Sequence, residues 1–128
     1  MHREALDLTS CQIISAACKV HSRLGPGLLE SAYEACLTHE LRQRGFRVAL
    51  QVPQPVMYEG LQLELGYRID MLVEDAVVVE LKAVSKLASI HHAQVLSYLK
   101  LGGFRLGLLI NFAERHLRDG IVRLVNDY

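Results

Sequence analysis

The spacing of apolar residues predicts a mixed α/β (α+β) fold in the order α-α-β-β-β-β-α-β-β. Three observations carry this expectation. Apolar residues recur every three to four positions through the first third of the chain. At Gly45 the period shortens to strand-like alternation. One further helical stretch then separates two runs of aliphatic residues, as a single crossover between neighbouring strands requires.

The first helix is expected over Leu8 to Leu24, with Cys11, Ile14, Ala17, Cys18, Val20 and Leu24 on its apolar side. Gly25-Pro26-Gly27 stops it, and a second helix runs from about Leu28 to Arg44. The stripe of that helix is Leu29, Ala32, Tyr33, Cys36, Leu37 and Leu41, and Gly45 is its left-handed terminator. Phe46 to Val52 alternates as a strand, ended by Pro53 and Pro55. Val56 to Leu65 reads as a hairpin turning at Glu59-Gly60. Gly66 to Val73 and Ala76 to Ala83 read as a strand pair joined by Glu74-Asp75. Three consecutive valines, Val77 to Val79, mark the second of these as buried on both faces. Ser89 to Leu101 returns to helical spacing with Ile90, Ala93, Val95, Leu96 and Leu99 apolar, and Gly102-Gly103 closes it. Arg105 to Asn111 is another buried strand and Ile121 to Val125 a short last one. There is no repeat or linker, so residues 1–128 read as one domain.

Composition narrows the function. Apolar residues make up 51% and charged residues 22%, a globular balance. Fourteen Lys plus Arg offset fourteen Asp plus Glu, which argues against a protein that coats nucleic acid through bulk charge but leaves room for a local patch. The three cysteines have no disulfide-framework spacing, and the first residues are too polar for a signal peptide. No apolar run has the length of a membrane span. A cytoplasmic protein is therefore expected.

Three carboxylates and a lysine stand out once placed on these elements. Glu80 and Lys82 are two apart on one strand and project from the same face. The short Glu74-Asp75 connection makes that strand the antiparallel neighbour of the one carrying Asp70, which brings Asp70 beside Glu80. Two carboxylates there can hold a hard divalent cation such as Mg²⁺. A lysine on the same face can orient a water or stabilise charge on a phosphate. The plain alternative is a cross-strand salt bridge between Lys82 and one carboxylate on a solvated face. The apolar run around them makes the strand look central, where charges are uncommon without a task. Glu30 falls in the first turn of the second helix, a position the helix dipole alone would favour. Gln94 and Tyr98 are four apart and share a helix face.

Together, Gly27-x-x-Glu30-x-x-Tyr33, Gly66-Tyr67-Arg68-x-Asp70, Glu80-Leu81-Lys82-Ala83-Val84 and His91-x-x-Gln94-x-x-x-Tyr98-Leu99 resemble the GxxExxY protein family of the PD-(D/E)XK nuclease-like superfamily. The resemblance spans about Ile13 to Val125. It implies a restriction-endonuclease-like α-β-β-β-α-β core, a central mixed sheet flanked by helices, with the active site at one edge of the sheet. It carries Asp70, Glu80 and Glu30 over as ligands of Mg²⁺ or Mn²⁺, Lys82 as the catalytic lysine, and Gln94 and Tyr98 as residues near the metal and the nucleic acid. Ile69 stands where the superfamily's name has proline, and His92 where an acidic residue is expected. The implied activity is metal-dependent hydrolysis of phosphodiester bonds, on DNA ahead of RNA. The rival reading is a catalytically silent module of the same fold, or a subunit of a larger nucleic-acid-processing complex. So short a chain offers limited binding area, so a homodimer or a partner is expected.

Two weaker signals remain. Cys18-x-x-His21 and Cys36-x-x-His39 each put a thiol and an imidazole on one helix face, and two such pairs can build a tetrahedral zinc site. Apolar-stripe cysteines are more often simply core. Arg42, Arg44 and Arg47 cluster where the second helix meets the sheet, and Lys86, Lys100 and Arg105 could extend them into a basic rim. A solvated face with favourable charge at the helix C-terminus is the plainer reading of the first cluster. With no Trp, a platform for stacking single-stranded bases is not expected.

Overall fold

Helical spacing followed by β-branched runs builds the expected layers. The computed structural model describes residues 1–128. Two helices, α1 (Arg3–Leu24) and α2 (Glu30–Gln43), precede the strands β1 (Val48–Pro53), β2 (Val56–Tyr58), β3 (Leu61–Leu63), β4 (Arg68–Val73) and β5 (Val77–Lys82). A crossover helix, α3 (Ser89–Gly102), leads to β6 (Leu106–Asn111), and a short 3-10 turn (Leu117–Gly120) leads to β7 (Ile121–Val125). The expected order holds with one refinement. The 56–65 hairpin contributes two short strands, and these form a small sheet of their own.

The main sheet is mixed, in the order β1-β4-β5-β6-β7. β5 and β6 are parallel, as the α3 crossover dictates, and the other pairings are antiparallel. β5 and β6 lie at the centre, and Val77, Val78, Val79 and the whole of β6 are buried. One face packs under α1 and α2 through Ile13, Tyr33, Leu37, Val79 and Leu108. The other packs under α3 through Val78, Val95, Leu99 and Leu109. Gly107 permits this second contact, because a Cβ there would lie 2.9 Å from the Val95 side chain. No helix is long and apolar enough to cross a membrane.

Several buried stripes differ from the expected ones. α1 begins at Arg3 and buries Leu6, Ile13, Ala16, Ala17 and Val20, while Cys11 and Cys18 face solvent and Leu24 is exposed. The error is one of helix phase: both small-residue rows satisfied a 3.6 period, and the alanine row lets the sheet approach more closely. In α2, Leu29 lies outside the helix at 78% exposure and Cys36 is exposed. Ile90 and Ala93 of α3 face solvent, because only the side carrying Val95, Tyr98 and Leu99 meets the sheet. β1 runs two residues later than expected and is an edge strand, mostly exposed, which accommodates Pro53.

Candidate active site

The β4–β5 hairpin is tightly closed at one end and open at the other. Glu74 and Asp75 take left-handed backbone angles, φ 55° and 52°, and turn the chain between Val73 and Val77. The ladder then continues only as far as Met71 and Val79. At the next level, side chains replace backbone. The Asp70 amide donates to Glu80 Oε1 at 3.0 Å, and the Leu81 amide donates to Asp70 Oδ2 at 3.0 Å. Each carboxylate thus spends one oxygen on the opposite strand and keeps the other available.

The chain also reverses its faces at this level. Ile69 and Met71 are two apart and would share a face in a regular strand, yet Ile69 packs under α3 and Met71 under α1 and α2. Between the pairs Leu50–Met71 and Val52–Ile69, Gln51 stands opposite Asp70 with φ 52°. A left-handed glutamine inside a strand is strained, and such strain gathers at sites whose surroundings hold it in place.

α2 brings further carboxylates to this opening. Tyr33 is fully buried, stacks on Phe112 at 4.5 Å, donates its hydroxyl to the Gly25 carbonyl and accepts the Leu28 amide. That hydroxyl pins the turn from which α2 starts, and so fixes the position of Glu30 in the first helical turn. Glu34, one turn on, accepts a hydrogen bond from Gln51 Nε2 at 3.1 Å.

The electrostatics record how these groups converge. Glu80 is 2% exposed, and burial, then the Asp70 charge, pushes its carboxyl well above the usual carboxylate range. Burial and the Asp70 charge also raise Glu30 and Glu34. Lys82 partly offsets this at Glu30 and Glu80, yet it makes no ion pair with any carboxylate. The salt-bridge alternative for Lys82 is therefore not what the strand adopts. Tyr98 is raised by burial and also feels Glu80 and Asp70, so the crossover helix borders the same opening. Gln94 Nε2 donates to the Tyr98 hydroxyl at 3.2 Å. His91 has a structural task here: its Nδ1 accepts the Ala88 amide at the start of α3.

Of the expected site residues, Asp70 and Glu80 interlock, Glu30 and Lys82 lie within electrostatic reach of them, and Gln94 and Tyr98 pair alongside. The expected convergence is not a finished cage: no three His, Cys, Asp or Glu side chains converge as ready metal ligands. The donor set nevertheless suits a hard cation. It consists of carboxylate oxygens, two of them left free by the backbone bonds, in an acidic group that burial and mutual repulsion keep short of positive charge.

The two weaker signals resolve here. Cys18 with His21 and Cys36 with His39 line two different clefts, so they build no common zinc site. Most of the supposed basic rim is engaged internally. Arg42 donates to the Val48 carbonyl, Arg44 to Glu40 and α1, Arg47 to Glu74, and Arg105 to the carbonyls of Tyr128 and Met1. Glu34 is a further site carboxylate, and its spacing of four from Glu30 is the one signal the sequence carries for it. Gln51 and Asn111 left none. Asn111, fully buried, accepts the Val84 and Ala113 amides and donates to the Val84 carbonyl, tying the segment after Lys82 to the one after β6.

A family model described as the PD-(D/E)XK nuclease superfamily matches residues 7–124. No curated protein and no solved structure matches the chain.

Proposed function

Because the chain belongs to the PD-(D/E)XK nuclease superfamily, we propose that it is a metal-dependent nuclease whose active site is the open end of the β4–β5 hairpin. The observation that carries this reading is the interlocked pair of buried Glu80 and half-buried Asp70, whose charges oppose each other, beside an unpaired Lys82. Within the superfamily we assign the chain to the GxxExxY type. The pinning of the turn before Glu30 by the Tyr33 hydroxyl supports that assignment, since it gives the Gly27, Glu30 and Tyr33 spacing a physical purpose.

The free oxygens of Asp70 and Glu80, with Glu30, are the proposed ligands of Mg²⁺ or Mn²⁺. Such an ion lowers the pKa of a bound water and offsets charge on a phosphate when present. Lys82, free of any carboxylate partner, is available to orient the attacking water or to hold a phosphate oxygen. Gln94 donates to the Tyr98 oxygen, so the Tyr98 proton is left to point away from Gln94 and toward substrate. Gln51 holds Glu34 beside the ligands, where its carboxylate adds to the negative potential that attracts the cation. The proposed substrate is nucleic acid, DNA ahead of RNA, and a homodimer or larger assembly would supply the binding area a short chain lacks.

A cleavage panel over single- and double-stranded DNA and RNA, with Mg²⁺ or Mn²⁺, tests the reading. Wild type should cut at least one form, and Lys82→Ala should lose that activity. Cleavage that survives both Asp70→Ala and Lys82→Ala would refute the site. A wild-type protein that binds nucleic acid without cutting any form would favour the silent binding module.

A further inference from the structure

The candidate site holds most of the carboxylates that feel one another, but the unpartnered arginines gather elsewhere. Arg42, Arg44, Arg47, Arg68, Arg105 and Arg123 donate to carbonyls, amides or carboxylates of the chain. Arg3 lies over the Tyr128 ring. Arg23, Arg115 and Arg118 have no such partner. Two of these three, Arg115 and Arg118, line one cleft of about 460 Å³ between the end of α1 and the loop after β6. His21, Ser22 and His116 complete its polar lining, and no carboxylate lines it. Two unpaired guanidinium groups lining one cleft add their positive potential there, and no acidic side chain in the lining offsets it. An anion would, and the guanidinium fork matches phosphate oxygens best.

The cleft is also tied to the candidate site by rigid connections. Its loop leaves β6 at Asn111, the register partner of Lys82, and the Phe112 amide donates to the Lys82 carbonyl at 2.8 Å. Asn111 clamps the segments that follow both strands. His21 Nε2 bonds the Glu114 carbonyl at 2.7 Å, which joins the α1 wall to the loop wall. Pro26, on the α1 side of the cleft, is four residues from Glu30. Four residues span at most about 14 Å, roughly four nucleotide steps along a duplex.

We propose that this cleft binds a phosphate of the nucleic-acid strand other than the one being cleaved, held by Arg115 and Arg118. The inference rests on the nucleic-acid reading of the candidate site, and it requires neither metal nor turnover. A phosphate seated there sets where along the strand the candidate site acts. The phosphate is either a terminal monoester or an internal diester, and the two sources predict different dependence on the strand's end.

The test is fluorescence anisotropy in EDTA, with internally labelled single strands and duplexes of about 20 nucleotides, longer than the roughly 4–16 nucleotides a single small domain covers. Each is used unphosphorylated, 5′-phosphorylated and 3′-phosphorylated. The Arg115→Ala/Arg118→Ala double variant is compared with wild type and with Arg23→Ala, which removes the third unpaired arginine from a different cleft. The double variant should bind about tenfold more weakly or worse at low salt. Its dependence of log affinity on log salt should be shallower by about one, as expected for the loss of one phosphate contact, while Arg23→Ala matches wild type. Loss confined to end-phosphorylated strands identifies a terminal phosphate, and equal loss on all strands an internal one. Unchanged affinity and salt dependence in the double variant would overturn the proposal, as would a wild type that binds no nucleic acid. Binding that depends on the two arginines in a wild type that cleaves nothing would uphold the cleft while refuting the nuclease reading.

Discussion

The two ends of the β4–β5 hairpin carry the same inventory, two carboxylates and one cation, and put it to opposite use. At the turn end, Glu74 and Asp75 meet Arg47 at 3.2 and 3.6 Å in a solvated cluster. The Arg47 amide and side chain hold the Glu74 carboxyl below its usual range. At the open end, Glu80 is buried and Asp70 half-buried, both are bonded to backbone, and neither has an ion pair although Lys82 is near. There the Glu80 carboxyl is held above its usual range. The difference teaches that proximity of charges does not make a site; denying them partners does. Satisfied exposed pairs contribute little and do little, whereas a buried carboxyl held above its usual range is poised to give up its proton to a ligand.

The sharpest way to break the comparison is substitution at both ends. Asp70→Ala and Lys82→Ala should each lower nucleic-acid cleavage by about a thousandfold or more. Arg47→Ala and Glu74→Gln should stay within a few-fold of wild type, read from initial rates at saturating Mn²⁺. Comparable losses at both ends would erase the distinction.

Next in size is the effect of metal on stability. At 100-fold excess over its Kd, a cation that binds only the folded state adds about 2.7 kcal/mol, visible as a rise of several degrees in Tm. Differential scanning fluorimetry should show this with Mn²⁺ for wild type and Glu74→Gln but not for Glu80→Gln.

Dependence on pH separates the ends by sign. The folded-state pKa of Glu80 is raised, so its contribution to stability is full below the unfolded value, near 4.3, and is lost as pH rises through the folded value. The folded-state pKa of Glu74 is lowered, so its contribution is present above the unfolded value and is lost as pH falls through the folded one. Metal-free wild type should therefore lose Tm above about pH 5, a decline that Glu80→Gln flattens. Glu74→Gln should instead flatten the decline on the acid side. The Mn²⁺-induced rise in Tm should grow with pH, because binding must displace the Glu80 proton.

The smallest expected effect is at Tyr33. Tyr33→Phe keeps the stacked ring but removes the hydroxyl that bridges Gly25 and Leu28, costing about 1–3 kcal/mol of stability by chemical denaturation. It should weaken Mn²⁺ binding through Glu30 while leaving the Asp70–Glu80 lock intact.

The order of elements, the Glu74-Asp75 turn and the adjacency of Asp70 and Glu80 were legible in the sequence, because periodicity and turn residues encode them locally. The phase of α1 was not. Its cysteine and alanine rows are both small and apolar, and only the neighbouring sheet chooses between them. The basic rim dissolves for a related reason: Arg44 and Arg105 reach oxygens of Ser15 and Tyr128 that are distant in sequence, and Arg42 turns back to the Val48 carbonyl. Arg115 and Arg118 lie in a segment without periodicity, and only the pairing of the other arginines in three dimensions marks them as unpartnered. The backbone lock of Asp70 and Glu80, and the strained Gln51 opposite it, depend on a ladder that stops one residue early, which no local pattern announces.

The most direct measurement is a calorimetric titration of Mn²⁺ into wild type, Asp70→Ala and Glu74→Gln. The open end predicts binding by wild type and by Glu74→Gln, and its loss in Asp70→Ala. Equal binding by all three, or none by wild type, would contradict the assignment of the Asp70–Glu80 lock as a metal site.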